Sequence, residues 1–237
     1  MKISIEHMID AGLGGKKNQD VYWAKQRDFG KKQAVLAMVC DGVGGVQEGE
    51  IASKKTIDYI VGGFWGNLPQ YVEHRLSMEQ LGRKLEKDLY KANIRLYEAA
   101  KKKGIRTGTT IALYFMLGKQ YLILNVGDSR VYWNKEKGMY RTKDHTLYEE
   151  KDGKGDKQEK HMLWQSVGSQ RELKIDQYSG IIMNGMDVLL LTDGAYRPFT
   201  KQEIREYCRC GNLKRMRRHA KKRKEPDNMT GVRIHIR

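Results

Sequence analysis

Apolar runs that stop at an aspartate constrain this chain most. Residues 34–40, Ala-Val-Leu-Ala-Met-Val-Cys, close on Asp41-Gly42-Val43-Gly44-Gly45, and residues 188–191, Val-Leu-Leu-Leu, close through Thr192 on Asp193-Gly194. A third aspartate, in Pro226-Asp227-Asn228-Met229-Thr230, borders the last apolar stretch. An almost unbroken apolar run of this length is the pattern of a strand covered on both faces. A carboxylate at the end of such a strand is held rigidly at the rim of the core, and the glycine after it lets the backbone turn and brings a carbonyl close. One Asp-Gly pair is ordinary turn chemistry. Two such ends and a third aspartate compose an all-oxygen site for hard divalent cations, which points to an enzyme rather than a scaffold.

The rest of the chain supplies the layers around those strands. Ile3-Ser4-Ile5 and Asp20 to Ala24 read as strands. A helix is expected from about Glu50 to Phe64, broken by Gly62-Gly63 and Pro69. A longer one is expected from Met78 to Lys103, with Leu81, Leu85, Leu89, Ala92, Leu96 and Ala99 at three- and four-residue steps and Gly104 as its stop. Residues 109–117, 121–126 and 130–133 read as a meander turned at Gly118-Lys119 and Gly127-Asp128, continued by Met139-Tyr140-Arg141. Residues 149–160 read as a mobile surface loop. Asp187 to Thr192 is a buried strand, Lys201 to Arg209 a short helix, and Thr230 to Ile236 a final strand with Val232, Ile234 and Ile236 on one face. Sheets covered by helices follow. The three aspartates span the first quarter to the C-terminus, so a shared site makes residues 1–237 one domain.

Composition narrows the setting. The 237 residues carry a formal net charge of +16, much of the excess in residues 214–224, Lys-Arg-Met-Arg-Arg-His-Ala-Lys-Lys-Arg-Lys. That run reads as a solvated helix face or as a dock for acidic partners. It has no interleaved aromatics for stacking single-stranded nucleic acid, so nucleic acid is not the favoured partner. No stretch reaches the length of a membrane span, and the start lacks the apolar segment of a signal peptide, so a cytoplasmic location is expected. Cys40 reads as a small core residue, and Cys208 with Cys210 is a lone C-x-C, too little for zinc.

The motif order then becomes informative: Asn18-Gln19-Asp20; Asp41-Gly42-Val43-Gly44-Gly45 with Gly49-Glu50-Ile51-Ala52-Ser53; Gly108-Thr109-Thr110; Asn125-Val126-Gly127-Asp128-Ser129-Arg130; Lys143-Asp144-His145; Thr192-Asp193-Gly194; Asp227-Asn228-Met229-Thr230. Seven motifs in this order closely resemble the metal-dependent type-2C serine/threonine phosphatases, the PPM family, especially its compact bacterial members. The resemblance implies an α+β fold, a four-layer α-β-β-α sandwich of two antiparallel sheets flanked by helices. It implies a core of two manganese or magnesium ions, with Asp41 bridging them, the Gly42 carbonyl on one, and Asp193 and Asp227 completing the set. Asp20 binds an ion or orients a water on it, and Asp128 matches the residue that helps hold a third, weaker ion. Two ions sharing a carboxylate activate water near neutral pH and clamp the attacking and leaving oxygens of a phosphate ester. Asp41, Asp193 and Asp227 are thereby the catalytic residues. His145 is expected to pin a turn, Arg130 to pair with a carboxylate, and Asn228 to orient Asp227 or its loop.

Two departures stand out. The family's phosphate-gripping arginine falls at Gly15, leaving Lys16 and Lys17 as substitutes that hold phosphate as point charges without the bidentate fork. Many eukaryotic members carry histidine where this chain has Val43. The segment Trp164-Gln165-Ser166-Val167-Gly168 resembles the stretch before the family's flap, here residues 169–180. The expected function is hydrolysis of phosphoserine and phosphothreonine on protein substrates of a serine/threonine kinase. The rival is a phosphatase-like regulatory or binding module with little turnover.

Overall fold

The computed structural model describes residues 1–15, 17–43, 48–135, 138–149 and 160–237. Lys16, most of the glycine-rich turn after Asp41, and most of the expected 149–160 loop lie outside the described residues. Strands β1 (Ile3–Asp10), β2 (Asp20–Phe29) and β3 (Lys32–Asp41) open the chain, followed by helix α1 (Gly49–Ile60), a π-helical turn (Val61–Trp65), α2 (Gly66–Glu73) and α3 (Met78–Lys103). Next come β4 (Ile111–Leu117), β5 (Gln120–Val126), β6 (Arg130–Lys135), β7 (Gly138–Arg141), β8 (Thr146–Glu149), β9 (Lys160–Leu163), β10 (Asp176–Ile181) and β11 (Met186–Leu191). Helices α4 (Asp193–Tyr196), α5 (Lys201–Cys210) and α6 (Leu213–Lys222) precede β12 (Met229–Ile236).

Ten strands form two antiparallel five-stranded sheets, ordered β1-β12-β11-β6-β7 and β10-β5-β4-β3-β2, and β8 and β9 pair as a separate ribbon. Period-two alternation decides which side each residue faces. Val35, Ala37 and Val39 of β3 point between the sheets and meet Val188, Leu190, Val232, Ile234 and Ile236. Leu36, Met38 and Cys40 point outward under Ile57, Leu85 and Leu89 of α1 and α3. On the other sheet, Leu189 and Leu191 face Ile204, Cys208, Leu213 and Met216 of α5 and α6. The outcome is the expected α-β-β-α sandwich. Every residue of the run 34–40 is fully buried because β3 is covered on both faces, which is why it reads as continuous rather than alternating.

Helix α3 matches its predicted bounds and is N-capped by Ser77, whose hydroxyl accepts from the Gln80 N–H while the Gln80 side chain accepts from the Ser77 N–H. Its leucine stripe contributes about 1.5–3 kcal/mol per fully buried side chain. Two expectations need correction. Gly62-Gly63 and Pro69 do not break the first helix, which widens into the π-helical turn and runs on to Glu73. Pro69 lies in the first turn of α2, and the Trp65 carbonyl that its missing N–H leaves free accepts from the Arg27 guanidinium at 3.1 Å. The meander also stops after β5, for β6 crosses to the other sheet and pairs with β11 and β7. The Gly127-Asp128 turn is therefore a crossing between sheets. Among the described residues, no helix is long and apolar enough to cross a membrane.

Candidate active site

Five aspartates reach one end of the sandwich from both sheets. Asp20 begins β2 and Asp41 ends β3, and the two are direct cross-strand partners. Asp193 follows β11, Asp227 precedes β12, and Asp128 lies on the crossing from β5 to β6. The backbone around Asp41 is tied down: its N–H donates to the Thr110 hydroxyl at 3.0 Å, and its carbonyl accepts from the Thr110 N–H at 2.8 Å and the Thr109 hydroxyl at 2.9 Å. The Thr192 hydroxyl donates to Asp20 Oδ2 at 2.8 Å and accepts from the Thr230 N–H at 2.9 Å, linking the two sheets behind the site. The Asp193 carboxylate accepts from the Gly194 N–H.

Both glycines of the Asp-Gly pairs are required by close approach. A Cβ on Gly42 would lie 2.5 Å from the Gly49 carbonyl carbon, and one on Gly194 would lie 2.3 Å from the Asn228 carbonyl oxygen and 3.0 Å from Asp227 Cβ. Gly194 thus lets the Asp227 loop close down beside Asp193. Asn228 fixes that loop, accepting from the Gln19 N–H at 2.9 Å and donating to the Ala11 carbonyl at 2.9 Å. It does orient the loop, as the sequence suggested.

The electrostatics are those of crowded anions. Burial raises the Asp20 carboxyl to about 7, the Thr192 hydrogen bond works against this, and the charges of Asp193 and Asp227 add to it. Burial, with repulsion from Asp20 and Asp193, pushes Asp41 well above the carboxylate range. The interaction between the Asp41 and Asp193 side chains raises Asp41 and lowers Asp193. Burial and the Asp193 charge raise Asp128 to about 6, with Arg197 opposing. Asp20 Oδ1 is buried with no hydrogen-bond partner among the described residues. A buried carboxylate oxygen without a donor, in a cluster of mutually repelling carboxyls, fits a cation. The donors are all oxygens, as hard divalent ions prefer. As the side chains stand, no three acidic, histidine or cysteine groups among the described residues are gathered closely enough to hold one ion.

The cation among these carboxylates is Arg197, which the sequence reading missed. Its guanidinium lies 2.6 Å from Asp193 Oδ2, 3.7 Å from Asp227 Oδ2 and 3.9 Å from Asp128 Oδ2. The available signal was the four-residue spacing from Asp193, which faces the two side chains together once Asp193-Gly194 opens a helix rather than a turn. Lys17 instead sits mostly exposed with its ammonium 2.5 Å from Glu50 Oε1. Asp227 is half exposed, the most exposed of the five carboxylates.

The neighbouring motifs are structural. Arg130 grips Asp144 with two bonds of 2.9 and 2.6 Å, as its pairing role predicted. His145 pins the crossing: its N–H donates to the Gly127 carbonyl at 3.0 Å and its Nδ1 accepts from the Gly127 N–H at 3.2 Å. Nδ1 also accepts from Gln165 Nε2 at 2.5 Å, which assigns the ring proton to Nε2, 3.3 Å from Asp176. Cys40 and Cys208 are buried and Cys210 is exposed, so the C-x-C pair does not converge.

A two-sheet sandwich carrying a rim of aspartates at one end is the architecture of a phosphatase class. The protein phosphatase 2C family model matches residues 14–224, and the chain belongs to that family. It is accordingly an enzyme of the serine/threonine protein phosphatase class, acting on phosphoproteins. The serine/threonine phosphatase stp of Listeria innocua serovar 6a is 26% identical over 187 residues, 74% of this chain and 72% of its own. The solved serine/threonine phosphatase of S. agalactiae shares the fold with a TM-score of 0.79 at 19% identity, across 100% of each chain. The catalytic domain of the phosphatase PstP, solved in complex with 2 manganese ions, has a TM-score of 0.77 at 20% identity and covers 99% of each chain.

Proposed function

We propose that this chain, as one catalytic domain spanning residues 1–237, removes phosphate from phosphoserine and phosphothreonine on proteins by metal-dependent hydrolysis. The observation that carries this reading is the convergence of Asp20, Asp41, Asp128, Asp193 and Asp227 on one rim, with four of the carboxyls held above their ordinary range. Family membership and the two manganese ions of the PstP structure support a two-ion site. Asp41, Asp193, Asp227 and the Gly42 carbonyl would hold manganese or magnesium, with Asp20 binding or orienting alongside. When bound, the ions supply charge neutralisation for the phosphoryl group and activate water for in-line attack.

The chain's own residues do the rest. Thr192 holds Asp20 Oδ2 and leaves Oδ1 buried without a hydrogen-bond partner among the described residues. Thr109 and Thr110 clamp the Asp41 backbone so that its carboxylate and the Gly42 carbonyl keep a fixed relation. Asp227, half exposed beside Asp193, would be the cation-binding group that completes the set. Were ions held at Asp193, Arg197 would be left beside Asp128, where its fixed positive charge would take the place of a third ion. Lys17 is committed to Glu50, so Arg197 is also the better placed of the two to neutralise substrate phosphate.

The test is hydrolysis of a phosphothreonine peptide with and without manganese, beside Asp193→Asn. Metal-dependent turnover abolished by the substitution is the expected result. The rival reading, a regulatory module, draws on the Arg197–Asp193 contact, which opposes ion entry. Calorimetry showing no manganese binding to the folded protein, together with no turnover, would decide for that module.

A further inference from the structure

A groove of about 1220 Å³ lies between the β6–β7 hairpin and α5, beside the aspartate rim. Its lining carries six cations, Arg130, Arg141, Arg197, Lys201, Arg205 and Arg209, against one acid, Glu206, among the described residues. Three of the cations are matched at the near end: Arg130 and Arg141 share Asp144, and Arg197 meets Asp193. Along α5, Lys201 and Arg209 are exposed and have no acidic partner among the described residues. Tyr132 and Tyr140 add flat surface from the hairpin. Arg197 belongs both to the groove and to the acidic cluster, so a chain lying in the groove reaches the site without a gap.

The geometry points to a substrate dock: this groove receives the polypeptide flanking the phosphorylated residue and favours acidic flanks. The inference rests on the proposed hydrolysis at the aspartate rim and adds which phosphoproteins that rim serves. Concavity distinguishes this surface from the basic face of α6, where Arg217 and Lys221 already turn towards Asp10. The selectivity is electrostatic. Each exposed charge pair is worth a modest amount and is weakened by salt. Preference therefore resides in KM, while kcat, set at the rim, stays level.

The experiment uses the full chain with manganese and three phosphothreonine peptides whose flanks are glutamate, alanine or lysine. Wild type and the double variant Lys201→Glu/Arg209→Glu are compared on each, with p-nitrophenyl phosphate as a substrate too short to extend from the rim to Lys201 and Arg209. For wild type, KM is expected to be lowest with glutamate flanks, by about fivefold over alanine at low salt. The double variant should reverse that order and leave p-nitrophenyl phosphate turnover unchanged. Equal KM across the three peptides, or a preference that survives the double variant, would overturn the dock. Failure to hydrolyse p-nitrophenyl phosphate would instead overturn the phosphatase reading. In that event, fluorescence anisotropy of the labelled peptides tests the dock by binding alone, and equal affinities for the three would overturn it.

Discussion

Removing the Asp187 carboxylate should destabilise the protein far more than its place at the start of β11 suggests. Arg233 of β12 is buried under α5, with its side chain 7% exposed and that of Asp187 6% exposed. Its guanidinium donates to Asp187 Oδ1 at 2.7 Å, to the Cys208 carbonyl at 2.8 Å and to the Arg209 carbonyl at 3.0 Å, with Glu6 3.4 Å away. His235 Nδ1 also lies 2.7 Å from Asp187 Oδ1. In Asp187→Ala the guanidinium keeps two carbonyls and the distant Glu6 but loses its buried counter-charge. Breaking a buried pair by deleting one partner costs about 3–5 kcal/mol, and the surviving bonds place this case near the lower end. At about 2–4 °C per kcal/mol for a chain of this size, the melting temperature should fall by about 6–12 °C. Asp187→Asn keeps an acceptor and should cost about 1–2 kcal/mol. The double variant Asp187→Ala/Arg233→Met should recover much of the loss, since no charge is stranded. Calorimetry and denaturant unfolding of the four proteins make the test. A wild-type melting temperature for Asp187→Ala, or a double variant no more stable than Asp187→Ala, would refute the reasoning.

Three further outcomes are expected. Arg197→Ala should bind one more manganese ion per chain than wild type in calorimetric titration, because the fixed charge beside Asp128 is gone; identical stoichiometry would show that Arg197 takes no ion's place. Gly194→Ala should cost about 1–3 kcal/mol and weaken manganese binding, because the new methyl collides with the Asn228 carbonyl and displaces Asp227; unchanged ion affinity would contradict this. The Arg223 guanidinium, with the Thr200 N–H, holds the Glu203 carboxyl down to about 2. Its folded-state value is depressed, so the stability it contributes is complete above the ordinary value near 4.5 and is lost as pH falls towards 2. The melting-temperature gap between wild type and Glu203→Gln should therefore narrow through that window, and a gap independent of pH would count against the Arg223 contact.

Much of the fold was legible because burial writes itself into local pattern. Residues 34–40 had to be covered on both sides, and α1 with α3 covers one face while the facing sheet covers the other, as the pattern required. The α3 stripe is likewise a local fact. The first helix was misread because Gly62-Gly63 and Pro69 are breakers by intrinsic preference, and packing overrode it. Phe64 and Trp65 are buried in the core, and Arg27 from β2 satisfies the carbonyl that Pro69 frees. The crossing at Gly127-Asp128 was misread because a turn looks the same whether the next strand joins its neighbour or the opposite sheet.

By itself, the sequence determined which residues form strands and helices over most of the chain, and that its aspartates stand at the ends of buried strands. These follow from side-chain periodicity and from the cost of burying unpaired polar groups, and both act over a few residues. Only the tertiary structure decided what surrounds those aspartates. Arg197 among the carboxylates, Lys17 drawn off to Glu50, and the cationic groove between β7 and α5 join residues far apart in the chain or hidden behind a turn-like Asp-Gly. Charge acts through space at distances that sequence separation does not encode, so the placement of a charged side chain is settled only when the layers close.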